Sequence, residues 1–277
     1  MLSRHGLRLR QNYAQQASCP RRDGFSTVLT LRLKAHEERR LRAGHSWVYS
    51  NEIDTAATPL RGVAAGSLCR LEDARGKPLG VGTVNPHTLL AVRMLTGQAD
   101  AVIDVEWFVR RLQQALALRE RRYPSPHYRL VFGETDGLPG LVIDRFGEVL
   151  VVQVTTAGME ALKPQLLEAL HLVLHPKGIL FRNDTAMRET EGLLAVDEMI
   201  GTVPDQVELL ESGVRFLAPL KSGQKTGWFY DQAANRDRLA PYVKGARVLD
   251  VFSYAGGWAV RALAAGAKSA ICVDSSL

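Results

Sequence analysis

The sequence predicts a multidomain protein of mixed α+β and α/β class. A small N-terminal β-barrel comes first, then a central α+β domain, then the opening of a doubly wound α/β domain. Three observations carry this. Short strand-like segments punctuated by Gly62, Gly66, Gly76, Gly80 and Gly82 fill residues 28–98. Helical and strand patterns are mixed across 104–195. The segment 245–277 reads strand, glycine turn, helix, strand. A chain of 277 residues suits roughly two or three such domains.

Composition narrows the class. The chain is 46% apolar and 23% charged, as expected of an ordinary globular protein. No apolar run approaches the roughly 18 residues of a membrane helix, so no membrane partner is expected. Cys19, Cys69 and Cys272 are too few and too scattered for a disulfide framework or a metal cluster. A reducing, cytoplasmic setting follows as the default, with no metal. The net charge is +6, and residues 1–50 hold ten Lys/Arg against three Asp/Glu, so the remainder sums to about −1. The basic excess is N-terminal and points to an anionic partner there, nucleic acid first.

The first element, residues 1–27, is a basic leader without an acid before Asp23. Its composition is like a mitochondrial transit peptide, or an upstream extension from a wrong start codon. It is expected to be disordered and outside the fold. In the barrel, "STVLTLRL", "SLCRLED", "PLGVGTVN" and "LLAVRML" are strands, and Glu37–Arg42 is a short helix with a solvated basic face. In the central domain, Asp104 caps a helix running to about Arg122, with Val105, Phe108, Leu112, Ala115, Leu116 and Leu118 on or near its buried face. "YRLVFGETDGLPGLVIDRFGEVLVVQVTTAG" holds two or more strands, with turns at Asp136-Gly137 and Phe146-Gly147. A second helix carries Pro164 in its first turn, and "GILFRND" is another strand. The third unit spans 196–277. Glu211-Ser212-Gly213 turns a hairpin, and a polar, aromatic stretch leads to a helix ending near Val243.

The last segment carries the chemistry. Val248–Phe252 is a buried-type strand, Ser253–Gly257 a glycine turn, Trp258–Ala265 a helix stopped by Gly266, and Ala270–Val273 a second strand ending at Asp274. The glycine turn and helix N-terminus can face the polar end of a ligand, and an acid at the second strand's tip can accept from ribose hydroxyls. The spacing D-x-F-x-x-x-G-G over Asp250–Gly257 resembles motif I of class I S-adenosylmethionine (SAM)-dependent methyltransferases. An ordinary α/β glycine turn would read the same way.

Four stretches in order, "LKAHEERRLRAGHSWVYSNEI", "GETDGLPGLVIDRFGEVLVVQ", "GQKTGWFYDQAANR" and "VLDVFSYAGGWAV", resemble the large-subunit ribosomal RNA cytosine-C5 methyltransferase family (rRNA large subunit methyltransferase I and relatives) over about 28–277. The resemblance implies an N-terminal PUA domain that binds RNA, a central domain, and a Rossmann-like catalytic domain. It implies SAM as methyl donor and ribosomal RNA as partner. It places Lys225, Tyr230, Asp231, Gln232, Asp250, Phe252, Ser253, Tyr254, Gly256, Gly257 and Asp274 at the cofactor. Arg39, Arg40, Arg42, His45 and Trp47 become the RNA contacts, though Trp47 and Tyr49 serve equally well as barrel core.

One feature departs from the family. C5 of cytosine is a poor nucleophile until a cysteine thiolate adds to C6. In the family that cysteine and a Pro-Pro loop lie well after the position equivalent to Asp274, and this sequence runs only to Leu277. Cys272, inside a strand, is expected to be packed, and Cys19 and Cys69 lie in the wrong region. No catalytic residue is assigned within the chain, and the nucleophilic cysteine is expected beyond Leu277. The chain is expected to be a methyltransferase cut inside its catalytic domain and inactive, with 245–277 poorly covered and open strand edges inviting a homodimer. A non-catalytic RNA-binding module is the alternative.

Overall fold

The computed structural model describes residues 29–275. The basic leader, 1–27, lies outside the described residues, as do Cys19 and Leu277, the position beyond which the nucleophile is expected.

The first unit is a five-stranded mixed sheet. It contains β1 (Leu29–Arg32), helix α1 (Glu38–Arg42), β2 (Trp47–Tyr49), β3 (Ser67–Glu72), β4 (Pro78–Val84) and β5 (Leu90–Thr96). Their order is β1-β3-β4-β5-β2, with β1 parallel to β3 and the other neighbours antiparallel. Alternate residues point inward, so Leu31, Cys69, Leu71, Val84 and Val92 form one core.

The middle unit is also five-stranded: β6 (His127–Phe132), β7 (Leu141–Phe146), β8 (Val149–Val154), β9 (Gly178–Phe181) and β10 (Glu198–Gly201), in the order β10-β9-β8-β7-β6. Helix α2 (Val105–Glu120) precedes it, α3 (Ala157–Ala161) and α4 (Lys163–Leu174) follow β8, and α5 (Ala186–Thr190) follows β9. "VLVVQV" is almost wholly apolar because β8 is buried on both faces. Leu150 and Val152 pack with α2 and α4, while Val149 and Val151 pack on the opposite side. Asp104 caps α2 as expected, accepting from the Trp107 amide at 2.9 Å.

Two expectations need correction. Leu118 is exposed. The inward position after Ala115 is Arg119 instead, whose guanidinium grips Asp136 through bonds of 2.6 and 2.7 Å. The middle sheet also continues past residue 195, because Glu198–Gly201 pairs antiparallel with β9. That strand is short and exposed, so it leaves little periodicity to read.

The other face of the middle sheet is covered by a hairpin, β11 (Gln206–Glu211) and β12 (Val214–Pro219). Its two-residue turn, Ser212 (φ 51°) and Gly213 (φ 78°), has positive φ at both positions, the type I′ geometry that matches strand twist. Leu209, Phe216 and Ala218 meet Phe146, Val151 and Leu180 in a second core. Helix α6 (Ala233–Leu239) leads to β13 (Arg247–Val251), α7 (Gly257–Ala264) and β14 (Ser269–Val273). β13 and β14 pair in parallel over five positions, so the expected βαβ unit is formed. Leu249, Val251, Ile271 and Val273 are exposed. Cys272 is exposed as well, not packed as the sequence suggested.

The first two units share a core. Val81 and Leu95 of the first sheet pack into the cluster around Phe108 and Leu130. Across the same junction the buried Glu191 carboxylate accepts from Arg93 at 2.7 Å, Asn85 at 2.8 Å and the Ala157 amide at 3.2 Å. Glu191→Ala leaves the Arg93 charge buried without its partner. It is expected to cost about 3–5 kcal/mol, read as a lower urea midpoint; a loss under about 1 kcal/mol would show that water or another group takes over the pairing.

Candidate functional site

The loop from Leu220 to Gln232 is held in place by three buried charged residues. Arg182, at the end of β9, donates to the carbonyls of Leu220 (2.8 Å) and Gly223 (3.0 Å) and to Asp184 (2.8 Å). Asp144, in β7, accepts from the Thr226 hydroxyl at 2.5 Å and from Arg129 at 2.8 and 2.9 Å. Glu211, at the end of β11, accepts from the Trp228 indole at 3.0 Å and from Arg236 at 2.6 and 2.7 Å. The Arg236 guanidinium also lies 4.9 Å from the Trp228 ring centre. Gly223 has no room for a side chain: a Cβ there would sit 2.2 Å from the Pro219 carbonyl oxygen and 2.4 Å from the Tyr254 hydroxyl.

The opposite wall is the turn after β13. Tyr254 donates its hydroxyl to the Gly227 carbonyl at 3.1 Å and accepts from the Gln224 amide at 3.2 Å. Its own amide donates to Asp274 at 2.6 Å. Burial raises the Tyr254 hydroxyl above its ordinary value, against the opposing pull of the Gln224 amide and the Arg182 charge, so it stays protonated at neutral pH. Between the walls lies a cleft of about 470 Å³, the size range of small-molecule and cofactor sites. Of the six non-glycine residues at positive φ among the described residues, Lys225 (51°), Phe252 (61°) and Tyr254 (48°) line this one cleft. Such clustering marks functional sites, where neighbours hold the strain in place.

The cleft brings together Lys225, Asp231, Gln232, Phe252, Ser253, Tyr254, Gly257 and Asp274. Tyr230, Asp250 and Gly256 do not line it. Tyr230 is buried in the second core, with its hydroxyl donating to the Arg145 carbonyl at 3.0 Å. Asp250 is buried beneath the glycine turn and accepts from the Ala259 amide at 3.1 Å, which holds the start of α7. Gly256, at φ 71°, is the N-cap of α7. Gln224, Trp228, Phe229 and Trp258 also line the cleft and were not singled out from sequence. The Lys225 ammonium sits 4.4 Å from the Phe229 ring centre, a cation–π contact.

The first unit disposes the other candidates differently. Arg39 and His45 are exposed. Arg40 is paired with Glu52 at 2.7 Å and Arg42 with Asp73 at 2.7 Å, so the expected solvated basic face is largely paired within its own domain. Trp47 is 40% exposed, which removes it from the core, and its indole donates to Glu134 of the middle unit at 2.7 Å. Tyr49 is half-buried under Arg40. Among the described residues no cluster of three or more His, Cys, Asp or Glu could hold a metal. No helix there is long and apolar enough to cross a membrane.

Known proteins give the same ordering of parts. Residues 31–97 match the family model of a PUA-like domain, and residues 165–276 match that of an S-adenosylmethionine-dependent methyltransferase. The chain is 39% identical over 245 residues to ribosomal RNA large subunit methyltransferase I of Cronobacter sakazakii, covering 86% of this chain and 61% of that protein. It is 39% identical over 253 residues to the enzyme of that name from Tolumonas auensis, covering 89% and 63%. The chain is a homologue of these proteins. It spans about three-fifths of their length. The fold is shared with a candidate SAM-dependent methyltransferase from Streptococcus mutans, with a TM-score of 0.74 at 21% identity over 90% of this chain and 64% of that one. A second solved methyltransferase candidate, complexed with SAH, gives a TM-score of 0.75 at 20% identity, over 90% and 63%. The segment homologous to the methyltransferase model begins inside α4, so it takes in β9, the hairpin and the loop that forms half the cleft.

The two described cysteines should differ sharply in reactivity. Cys69 is buried and its thiol is pushed up to about 12 by that burial, so little thiolate forms near neutrality. Cys272 is exposed. Alkylation of native protein at pH 8, mapped by peptide mass, should label Cys272 quickly and Cys69 only after denaturant is added. Equal rates would mean that the first core opens readily.

Proposed function

We propose that the chain is the RNA-binding, central and cofactor-binding part of a SAM-dependent methyltransferase acting on cytosine C5 in large-subunit ribosomal RNA, in the cytoplasm. The observation that carries this is the strained cleft at the tips of β13 and β14, where the acid at the end of the second strand faces an aromatic turn. The residues present fit the cofactor. Asp274, which lines the cleft, is our candidate to accept from ribose hydroxyls. Phe252, Phe229 and Tyr254 offer ring faces and edges to an adenine. Lys225 and the amides opening α7 suit a carboxylate. When bound, SAM supplies an electrophilic methyl group.

The chain's own residues prepare that site. The loop fixed by Arg182, Asp144 and Glu211 excludes water from one side. The turn held by Tyr254 and Asp274 closes the other. We further read β13-α7-β14 as the first βαβ unit of a Rossmann-like sheet, and the first sheet as a PUA barrel. The exposed strip of Leu249, Val251, Ile271 and Val273 is where a doubly wound sheet takes its covering elements, and it is the surface through which a homodimer would form.

C5 chemistry also needs a thiolate at C6. Among the described residues no cysteine lines the cleft, although Cys272 is exposed on the neighbouring strand. We assign that role to no cysteine of this chain, which spans about three-fifths of the relatives' length. The chain is expected to bind cofactor and RNA. Calorimetry should show SAM binding that Asp274→Ala weakens about tenfold or more, the scale of losing hydrogen bonds to one charged group. A protein of the relatives' full length carrying these residues should place methyl on C5 of cytosine in unmodified rRNA. Methyl mapped to a base nitrogen or a ribose would overturn the C5 assignment.

The alternative, a binding module without cofactor, rests on the exposed Trp47, Arg39 and His45. It predicts RNA binding that falls steeply with salt and no heat with SAM.

A further inference from the structure

A second cleft, of about 340 Å³, lies beside the first. Three pieces of chain meet there: the connection from α2 to β6, the type I′ turn of the hairpin, and the start of α6. Asp231 lines both clefts, so the turn at Tyr230–Gln232 is a common wall. Resting on the reading of the chain as part of an RNA methyltransferase, we propose that this second cleft seats one unpaired nucleotide of the RNA substrate, next to the nucleotide presented at the cofactor.

The wall chemistry selects a nucleotide. Tyr123, part-exposed at the rim, stacks on the buried Tyr128 with ring centres 5.4 Å apart and planes 29° from parallel. The lower ring backs the upper one, so Tyr123 is held as a platform on the cleft wall. Single-stranded bases stack on such platforms, and duplex RNA does not present its bases that way. The Arg122 guanidinium lies 5.8 Å from the Tyr123 ring centre, also on the cleft wall, where a phosphate joined to a stacked base would lie. Ser212 and Asp237 face the cleft with their side chains hydrogen bonded at 2.7 Å, and a carboxylate there can accept from an exocyclic amino group.

The carboxylates in the cleft do not make it repel RNA. Glu211 is neutralised by the bidentate bonds of Arg236, and Asp237 by Arg261 at 3.0 Å. Asp231 feels the charge of Arg129. His127, half-buried, is held below its ordinary value by burial first and then by the Arg145 charge, with Glu208 opposing. It is neutral at neutral pH, and with Nδ1 3.4 Å from the Ser125 hydroxyl it leaves Nε2 to meet a base edge. A free small metabolite would need none of the rim cation, and the wall shared with the cofactor cleft would be incidental to it.

The test uses the whole 277-residue chain with a fluorescein-labelled, unstructured RNA oligonucleotide and its duplex form, read by anisotropy. Tyr123→Ala should weaken single-strand binding about tenfold, the size of one lost stacking contact, and leave duplex binding unchanged. Tyr123→Phe, which keeps the ring, should bind within about twofold of wild type. SAH affinity by calorimetry should be the same in all three, which also reports that the fold is intact. A 4-thiouridine oligonucleotide should crosslink to the peptide carrying Tyr123 and His127. If wild type binds single-stranded RNA and Tyr123→Ala binds it equally, the second cleft is not a nucleotide seat while the RNA reading stands. If wild type binds neither RNA form, the RNA reading falls and the seat with it.

Discussion

A carboxylate with no exposure to solvent, Asp144, ties the middle sheet to the loop that walls the cleft. Taking a charge out of water costs several kcal/mol, and only close partners offset it. Asp144 has them: two bonds from Arg129 and one from Thr226. The balance is visible on the partner. Burial works against the Arg129 charge, yet its hydrogen bonds and attraction to Asp144 win, and Arg129 ends up held above its ordinary value. Such a pair adds little net stability over a packed apolar pair. Its effect is specificity, because any register of the loop that moves Thr226 away leaves a buried acceptor short of a donor. Arg182 and Glu211 apply the same logic to Gly223 and Trp228.

The strain opposite that loop needs its own restraint. Left-handed backbone at a non-glycine residue costs of order 1–3 kcal/mol and survives only where neighbours dictate it. Packing does not dictate Phe252, which is 85% exposed. Hydrogen bonds do. The amides of Phe252 and Ser253 donate to the Val273 carbonyl at 2.8 and 3.2 Å, and the Tyr254 amide donates to Asp274. The tip of β14 thus shapes the turn after β13, and the βαβ unit presents an exposed aromatic ring without needing a core to support it. The acid that the sequence offers as a ribose ligand is at the same time a backbone acceptor.

How far the sequence reveals this depends on the range of each interaction. Elements set by local rules were legible: the Asp104 cap, the Ser212-Gly213 turn, the glycine turn of the βαβ unit, and the glycine-punctuated strands of the first sheet. The cleft's own residues were mostly legible too, since Lys225, Asp231 and Phe252–Tyr254 sit in two short motifs. What failed was side-chain direction within those motifs. Tyr230 turns into the second core and Asp250 under the turn, and no spacing distinguishes them from Asp231 or Ser253. The residues that hold the cleft loop come from strands far away in sequence. They did leave a trace: Asp144 in "LVIDRF" and Arg182 in "ILFRND" are charges set in apolar strands, and a charge there implies a buried partner. The sequence could not name the partner. Arg40 and Arg42 fail in the opposite sense, since their charges are spent on Glu52 and Asp73, acids that lie 12 and 31 residues further on.

The two halves of the cleft are built on different foundations. The Phe252–Tyr254 wall belongs to the βαβ unit. The Gln224–Gln232 wall belongs to the middle sheet, through Asp144, Arg182 and the Tyr230 ring packed 5.2 Å from Phe146. Few bonds join them directly, and those few converge on Tyr254, whose hydroxyl meets both Gln224 and Gly227. A ligand in the cleft therefore bridges two walls with different supports, one packed on the second core and one held by hydrogen bonds of the βαβ unit. The second cleft has the same construction. Its Tyr123 side is anchored to α2 and β6, and its Ser212 side to the hairpin that also carries Glu211. Since Glu211 fixes Trp228 in the first cleft and flanks the second, one buried carboxylate sets the distance between the two sites.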